Sequence, residues 1–202
     1  MVLETLPDNP FDLFNEWYQE AVGQEPRDPN AMALATVNTE GMPSVRMVLL
    51  KGVQNGTFVF FTSKESRKGQ EMTENPHVAL CFYWKSLNRQ IRVEGIATPI
   101  DGEEADSYFA SRPVGAQIGA WASKQSQLLS SREELEERMA EMSQRFGDDV
   151  IPRPDHWVGY QVMPIAIEFW ADRPFRLHDR IVYTPEGDGS WTQSRLYPSN
   201  II

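Results

Sequence analysis

Nine short runs of strand-forming residues, none longer than eight, dominate this chain of 202 residues. They fall at 31–37, 44–50, 57–62, 78–84, 90–97, 157–162, 165–170, 177–183 and 191–196. Turn-forming residues close most of the gaps, at 38–41, 85–88 and 185–189 for example, and connections this short join antiparallel neighbours. Eight or nine strands with four or five helical segments make an α+β chain, and the natural closure is a small antiparallel barrel with helices around it.

The helical segments carry their own signals. Asp8, Asn9 and Pro10 open a helix on which Phe11, Phe14, Trp17, Tyr18 and Ala21 recur at helical spacing. Residues 63–68 start a second helix at a Ser cap, ending before Asn75 and Pro76. Asp101 with Glu104, and Ser131 with Glu134, read as capping boxes, the second opening a charged amphipathic helix to about Phe146. Residues 117–126 contain too much Gly, Ala and Ser for a pure packing helix, and their polar end, Ser123 to Ser126, is either a solvated helix end or a hydrogen-bonding site.

Composition narrows the function. A hydrophobic fraction of 41% with 10 Phe, 6 Trp and 6 Tyr describes a folded globule. No run reaches membrane-spanning length and residues 1–7 lack a secretory pattern, so a cytoplasmic protein is expected, without membrane contact. The single cysteine, Cys81, excludes an internal disulfide and reads as a small core residue. One Cys and three scattered histidines, His77, His156 and His178, argue against a protein-ligated zinc. A net charge of −10 argues against a nucleic-acid surface, so any anion must be held by local clusters of Arg and Lys.

Three such clusters stand out. Arg46 lies within the apolar run 45–51 and needs an anionic partner, either one of the 29 acidic residues or a ligand phosphate. Arg46 and Lys51 fall on opposite faces of a regular strand, so one ligand could meet both only across a bulge or twist. Arg67 and Lys68 sit in the first turn of a helix, against its dipole, where a phosphate would account for them. No Gly-rich nucleotide loop accompanies them. Arg176, His178 and Arg180 share one face if residues 177–183 begin an extended strand, forming either a solvated edge or a cationic site with one imidazole. Gln90, Arg92 and Glu94 likewise share a polar strand face, solvated or lining a groove.

Taken together these stretches closely resemble the pyridoxamine 5'-phosphate oxidase family of flavoproteins, from about Phe11 to Pro198. The resemblance is carried by residues 46–51 (RMVLLK), 61–68 (FTSKESRK), Arg89 with Gln90, Tyr108 with residues 111–113 (SRP), 117–126 (QIGAWASKQS), 168–170 (EFW) and 176–180 (RLHDR). It implies an FMN-binding split barrel of Greek-key type. Residues 1–202 would form one domain: an N-terminal helix and linker (1–30), barrel strands (31–100), a helical layer (101–150) and C-terminal strands (155–202). It further implies a homodimer with FMN at the interface.

By the same resemblance Arg46, Met47, Val48, Leu49, Leu50, Lys51, Phe61, Thr62, Arg67, Lys68, Gln90, Gln125, Ser126, Trp170 and Arg180 contact FMN. Lys51, Tyr108 and Arg112 hold the substrate phosphate, while Arg176 and His178 lie over the substrate ring as the catalytic pair. The implied reaction oxidises pyridoxamine or pyridoxine 5'-phosphate to pyridoxal 5'-phosphate, with hydride passing to the flavin and dioxygen reduced to hydrogen peroxide.

The chain departs from the family pattern at three places. Few residues precede the first helix, where family members often carry an arm that closes over substrate. Ala116 stands where a Ser usually helps bind the substrate phosphate, a loss of on the order of 1 kcal/mol. The chain also runs through Ile202, slightly past the usual end. A related flavin oxidase acting on a phenazine precursor and a non-catalytic carrier of FMN or pyridoxal phosphate are the competing readings. Lys51, Arg112 and the Arg176/His178 pair weigh against the first, and retention of RLHDR against the second.

Overall fold

The computed structural model describes residues 6–100 and 102–198. Asp101 of the expected capping box, the residues before Leu6 and the chain end through Ile202 lie outside them. In chain order the elements are α1 (Pro10–Gln24), β1 (Ala31–Val37), β2 (Pro43–Leu49), β3 (Gly52–Gln54), β4 (Thr57–Ser63), α2 (Arg67–Glu74), β5 (His77–Trp84) and β6 (Arg89–Ile100). There follow α3 (Glu103–Ala110), α4 (Val114–Ala122), α5 (Arg132–Phe146), β7 (Trp157–Ala171), β8 (Asp179–Pro185) and β9 (Trp191–Arg195).

One antiparallel sheet runs in the order β2-β1-β5-β6-β7-β4-β3, with β8 and β9 branching from β7. The two runs expected at 157–162 and 165–170 are a single strand, β7, of 15 residues. Pro164 offers no N–H to a neighbour and would ordinarily end a strand. It is tolerated because the β6–β7 ladder shifts register beside it: Glu94 faces Ala166 and Gly95 faces Pro164, which leaves Ile165 as an extra, bulged residue on β7. On its other edge β7 pairs first with β4, through residues 157–162, and then with β8, through residues 167–171. Pro164 sits at this changeover, where neither partner asks for its missing donor. The sheet curls until β2 meets β4, with no ladder between them among the described residues. The barrel is therefore split.

Helix α1 plugs this barrel. Asn9 caps it through a 3.0 Å bond from the Phe11 N–H to Oδ1, with Pro10 at the first helical position. The expected stripe docks, with Phe14, Trp17 and Ala21 buried together with Leu13. Phe14 meets Phe58 and Phe82 edge-on at 5.1 and 5.3 Å, and Trp17 meets Phe169 at 5.3 Å. A second, smaller core of Phe109, Ile118, Phe146, Ile151 and Trp157 fastens the helical layer. Ser131 caps α5 as expected, accepting from the Glu134 N–H at 3.2 Å. Helix α3 begins behind Gly102, whose φ is +74°.

Cys81 differs from its expected place. It is half-buried on the β5 face opposite the barrel core, paired in register with Arg92, because the alternation of β5 gives the inner positions to Val78, Leu80, Phe82 and Trp84. Strand β3 lay in no expected run. It closes on β4 through Asn55 and Gly56, both at positive φ, a two-residue hairpin turn.

Gly95 is where the bulge demands the closest backbone approach. A Cβ there would lie 2.5 Å from the Met163 carbonyl oxygen and 2.8 Å from a Val162 methyl. Gly95→Ala is expected to cost roughly 1–3 kcal/mol. Gly115→Ala, in α4 with nothing within 4 Å, should stay within about 1 kcal/mol of the parent, on the stabilising side. Urea unfolding of both variants checks the pair, and equal midpoints would refute the bulge constraint.

Candidate active site

The first candidate cations meet at a carboxylate the sequence reading did not single out. Glu71, one turn into α2, takes the Arg67 Nε–H at 2.8 Å on one oxygen. Its other oxygen faces Arg46 Nη2 at 3.3 Å and accepts from Ser44 at 2.8 Å and Thr36 at 2.5 Å. Arg46 is held further by Thr36 Oγ1, Ser44 Oγ and the Leu34 carbonyl. Of the two partners open to Arg46, the structure thus supplies an acidic side chain. Burial works to raise the Glu71 pKa, yet the bonds from Thr36, Arg67 and Ser44 bring it down to about 2.

Lys68 lies beside this pair, donating to Thr62 Oγ1 at 3.0 Å and Ser66 Oγ at 3.2 Å. Burial, with the Arg46 charge, pulls its pKa down to about 8. Arg46, Arg67 and Lys68 against Glu71 leave two net positive charges at the start of α2, whose first turn carries no acidic residue. Ser66 caps the helix, and Gly69 presses on the Lys64 backbone, where a Cβ would stand 2.5 Å from its carbonyl oxygen.

Lys68 opens into a cavity of about 280 Å³. Met47, Val48, Leu49, Lys51, Phe61 and Thr62 line it from the barrel, Tyr108, Arg112 and Gln125 from the helical layer. Lys51 joins the others because β2 stops at Leu49 and the chain bends through Leu50 and Lys51, interrupting strict alternation. Leu50 itself turns into the core, its N–H bonded to the Asn30 carbonyl.

Aromatic rings build the cavity wall: Phe61 stacks on Tyr108 at 4.3 Å and on Trp157 at 5.0 Å, all within 18° of parallel. Arg112 lies over Trp157 at 4.9 Å, and its Nη1 is buried without a hydrogen-bond partner. Burial lowers the Arg112 pKa, the expected response of a desolvated cation. Gln125 Oε1 accepts from Thr62 Oγ1 at 3.2 Å and the Ser63 N–H at 3.3 Å. A neighbouring cavity of about 380 Å³ shares Phe61, Arg112, Gln125 and Trp157 and contains Ala116. Helix α4 ends at Ala122, so Ser123 to Ser126 form a loop rather than the end of a helix; Ser126, at φ +69°, lines a third groove on its outer side.

A second set of candidate residues gathers elsewhere. Gln90, Trp170 and Arg180 are consecutive partners across β6, β7 and β8. None of them lines the cavity of Lys68. Arg180 grips Glu168 with two bonds of 2.8 and 3.1 Å, and Arg92 reaches the same carboxylate at 2.6 Å.

The expected single face of Arg176, His178 and Arg180 is not formed. Pro174 starts a one-turn 3-10 segment through Arg176, Phe175 and Arg176 take φ of +60°, and β8 begins only at Asp179. His178 instead lies against the Trp170 ring at 4.6 Å, its Nδ1 3.0 Å from Asp172 Oδ1. Of the residues that sequence reasoning passed over, Glu71 was signalled by its i, i+4 spacing from Arg67. Trp157 and Asp172 carried no such signal, because folding alone brings them to Arg112 and His178.

Among the described residues no helix is long and apolar enough to cross a membrane. Comparison with known proteins places the chain. Residues 18–146 match the family described as pyridoxamine 5'-phosphate oxidase, and residues 157–198 match the pyridoxine 5'-phosphate oxidase C-terminal dimerisation region. A protein of Rhodospirillum rubrum named pyridoxine/pyridoxamine 5'-phosphate oxidase is 58% identical over 94% of this chain and 96% of its own length. One of the same name from Chelativorans sp. is 56% identical over 94% and 90%. Among solved structures, PhzG from Burkholderia lata 383, in complex with tetrahydrophenazine-1-carboxylic acid, superposes with a TM-score of 0.89 at 32% identity, covering 98% of this chain and all of that one. With family matches over most of its length and relatives more than half identical to it, the chain belongs to the pyridoxamine 5'-phosphate oxidase family.

Proposed function

We propose that this protein is an FMN-dependent oxidase that converts pyridoxamine and pyridoxine 5'-phosphate to pyridoxal 5'-phosphate. The observation that carries this is one cavity with two cationic poles. Lys68, with Arg46 and Arg67 behind it, forms one pole, Lys51 and Arg112 the other, and an aromatic wall lies between them. Two planar, phosphorylated molecules match that layout. The residues fit a flavin phosphate by charge, two net positives against a dianion, and the unpartnered Arg112 Nη1 fits a second phosphate.

Bound FMN would supply the redox chemistry, taking hydride from C4' of the substrate and returning the electrons to dioxygen as hydrogen peroxide. The chain's own work is placement. Arg46, Arg67, Lys68 and Thr62 would anchor the flavin phosphate, with Met47, Val48, Leu49, Lys51, Phe61 and Gln125 along the flavin, whereas the Leu50 side chain turns into the core and Ser126 lines the outer groove. Lys51, Tyr108 and Arg112 would hold the substrate phosphate, fixing ring separation and angle. Arg176 and His178 would orient the substrate ring and stabilise charge on it.

Because Gln90, Trp170 and Arg180 lie outside that cavity, a homodimer is part of the proposal, a second copy bringing its own such row to close the site around FMN. The edge strand β2 exposes Val45, Met47 and Leu49 on one face, an apolar strip suited to burial between copies. Residues 1–202 would act as one flavin-binding unit, in the cytoplasm. The likeness to PhzG sustains a second reading, an oxidase of phenazine precursors on the same flavin site.

Mixing flavin-loaded protein with pyridoxamine 5'-phosphate without oxygen separates the two. Bleaching of the visible flavin band, then recovery in air with pyridoxal 5'-phosphate formed, is expected. A flavin that bleaches with a reduced phenazine carboxylic acid and never with the B6 phosphate would transfer the protein to the second reading.

Flavin binding should also depend on pH through Lys68. A phosphate beside the ammonium favours its charged form and raises its pKa above the value of about 8 in the free chain. Binding then takes up a proton only where free Lys68 is neutral. The FMN dissociation constant should be level from about pH 7, where the flavin phosphate is already dianionic, to about 8 and rise above it by up to about tenfold per pH unit, a dependence that Lys68→Met abolishes. Titration by flavin fluorescence measures it, and a level profile through pH ~10 would remove Lys68 from the phosphate site. Val45→Asp, outside the cavity lining, should cost dimer and flavin together in sedimentation; a monomer that keeps its flavin would refute the shared site.

A further inference from the structure

His178 Nδ1 stands between two groups that make opposite demands on it. The Arg173 backbone N–H points at it from 3.2 Å and needs a bare nitrogen, while Asp172 Oδ1, 3.0 Å away, needs a protonated one. A single ring nitrogen satisfies only one of them. The bond to a carboxylate is charge-assisted and the stronger of the two. Asp172 is in turn tied down, since its N–H donates to the Asn88 carbonyl at 3.0 Å. The segment between it and His178 is braced by the Arg173–Asp179 ion pair at 2.6 Å and by the Leu177 N–H on the Pro174 carbonyl. The left-handed Phe175 and Arg176 lie inside this braced loop, a conformation that non-glycine residues keep only when their surroundings impose it.

We propose that Asp172 is a positioning residue for His178: it holds the proton on Nδ1 and leaves Nε2 as the ring's hydrogen-bond acceptor. The Trp170 ring, 4.6 Å away, keeps the imidazole from turning over. Without the carboxylate, the Arg173 N–H takes Nδ1 and the proton moves to Nε2, turning an acceptor into a donor. A substrate hydroxyl or ammonium group donates to a bare Nε2, so the tautomer decides whether His178 attracts or repels it. Only the consequence for turnover rests on the oxidase reading; the tautomer belongs to the loop itself.

The test is ring 15N NMR of the flavin-loaded protein, labelled at histidine, at about pH 9, above the ordinary imidazole range. There are three histidines, so His178→Gln identifies the resonance. The parent should show a protonated Nδ1 and a bare Nε2, and Asp172→Asn, or Asp172→Ser should the first not fold, the reverse. An unchanged tautomer in a folded variant overturns the proposal. Turnover of pyridoxamine 5'-phosphate is read alongside, with kcat expected to fall about tenfold at unchanged flavin content, the worth of one charge-assisted hydrogen bond. A reversed tautomer with unchanged kcat upholds Asp172 as the positioning group and counts against His178 in the oxidase reaction, so the two failures are told apart.

Discussion

The divided pairing of β7 is the constraint from which the rest of the structure follows. One edge of this strand belongs to β6 from Gly159 to Ala171, whereas the other serves β4 over its first half and β8 over its second. A strand that changes partners midway needs a place where neither pairs, and Pro164 with the bulged Ile165 beside it, opposite Gly95, provides it. The first half carries Trp157 into the aromatic wall beside Phe61, and the second carries Glu168 and Trp170 to Arg92, Arg180 and His178. Both groups of candidate residues thus hang on one strand, at opposite ends.

Electrostatics work against the background of the whole chain. A protein of net charge −10 repels phosphates at long range, and only concentrated local charge reverses this. Glu71 makes the concentration tolerable. Arg46 and Arg67 would repel each other side by side, but one buried carboxylate bridges them while two hydroxyls complete its shell. Removing that carboxylate from a buried site would leave the guanidiniums without a counter-charge, which is why breaking such a pair is more costly than never having built it. Glu168 repeats the device between Arg92 and Arg180.

Much of the fold was legible because it rests on local rules. Strand-forming runs closed by short turns marked β1 and β5, period-two alternation marked β6 with its inward Ile91 and Val93, and Asn9–Pro10 and Ser131 announced their helices. The failures are local rules overridden from a distance. Pro164 reads as a strand end and is not one, since β7 bulges at Ile165 and keeps its ladder with β6 on both sides. His178 reads as sharing a face with Arg176 and Arg180, and Pro174 with two left-handed residues breaks the alternation before it begins.

By itself the sequence determined the residue chemistry: which cations lack a local partner, which helix begins against its dipole, and which motifs tie the chain to its family. These depend on neighbours a few positions apart, and such neighbours are known once the order of residues is known. Only the tertiary structure decided who answers those charges. Glu71 meets Arg46 across 25 residues and Arg92 meets Glu168 across 76. Partners so far apart are selected by strand register and by the sharing of β7, which no short stretch of the chain encodes.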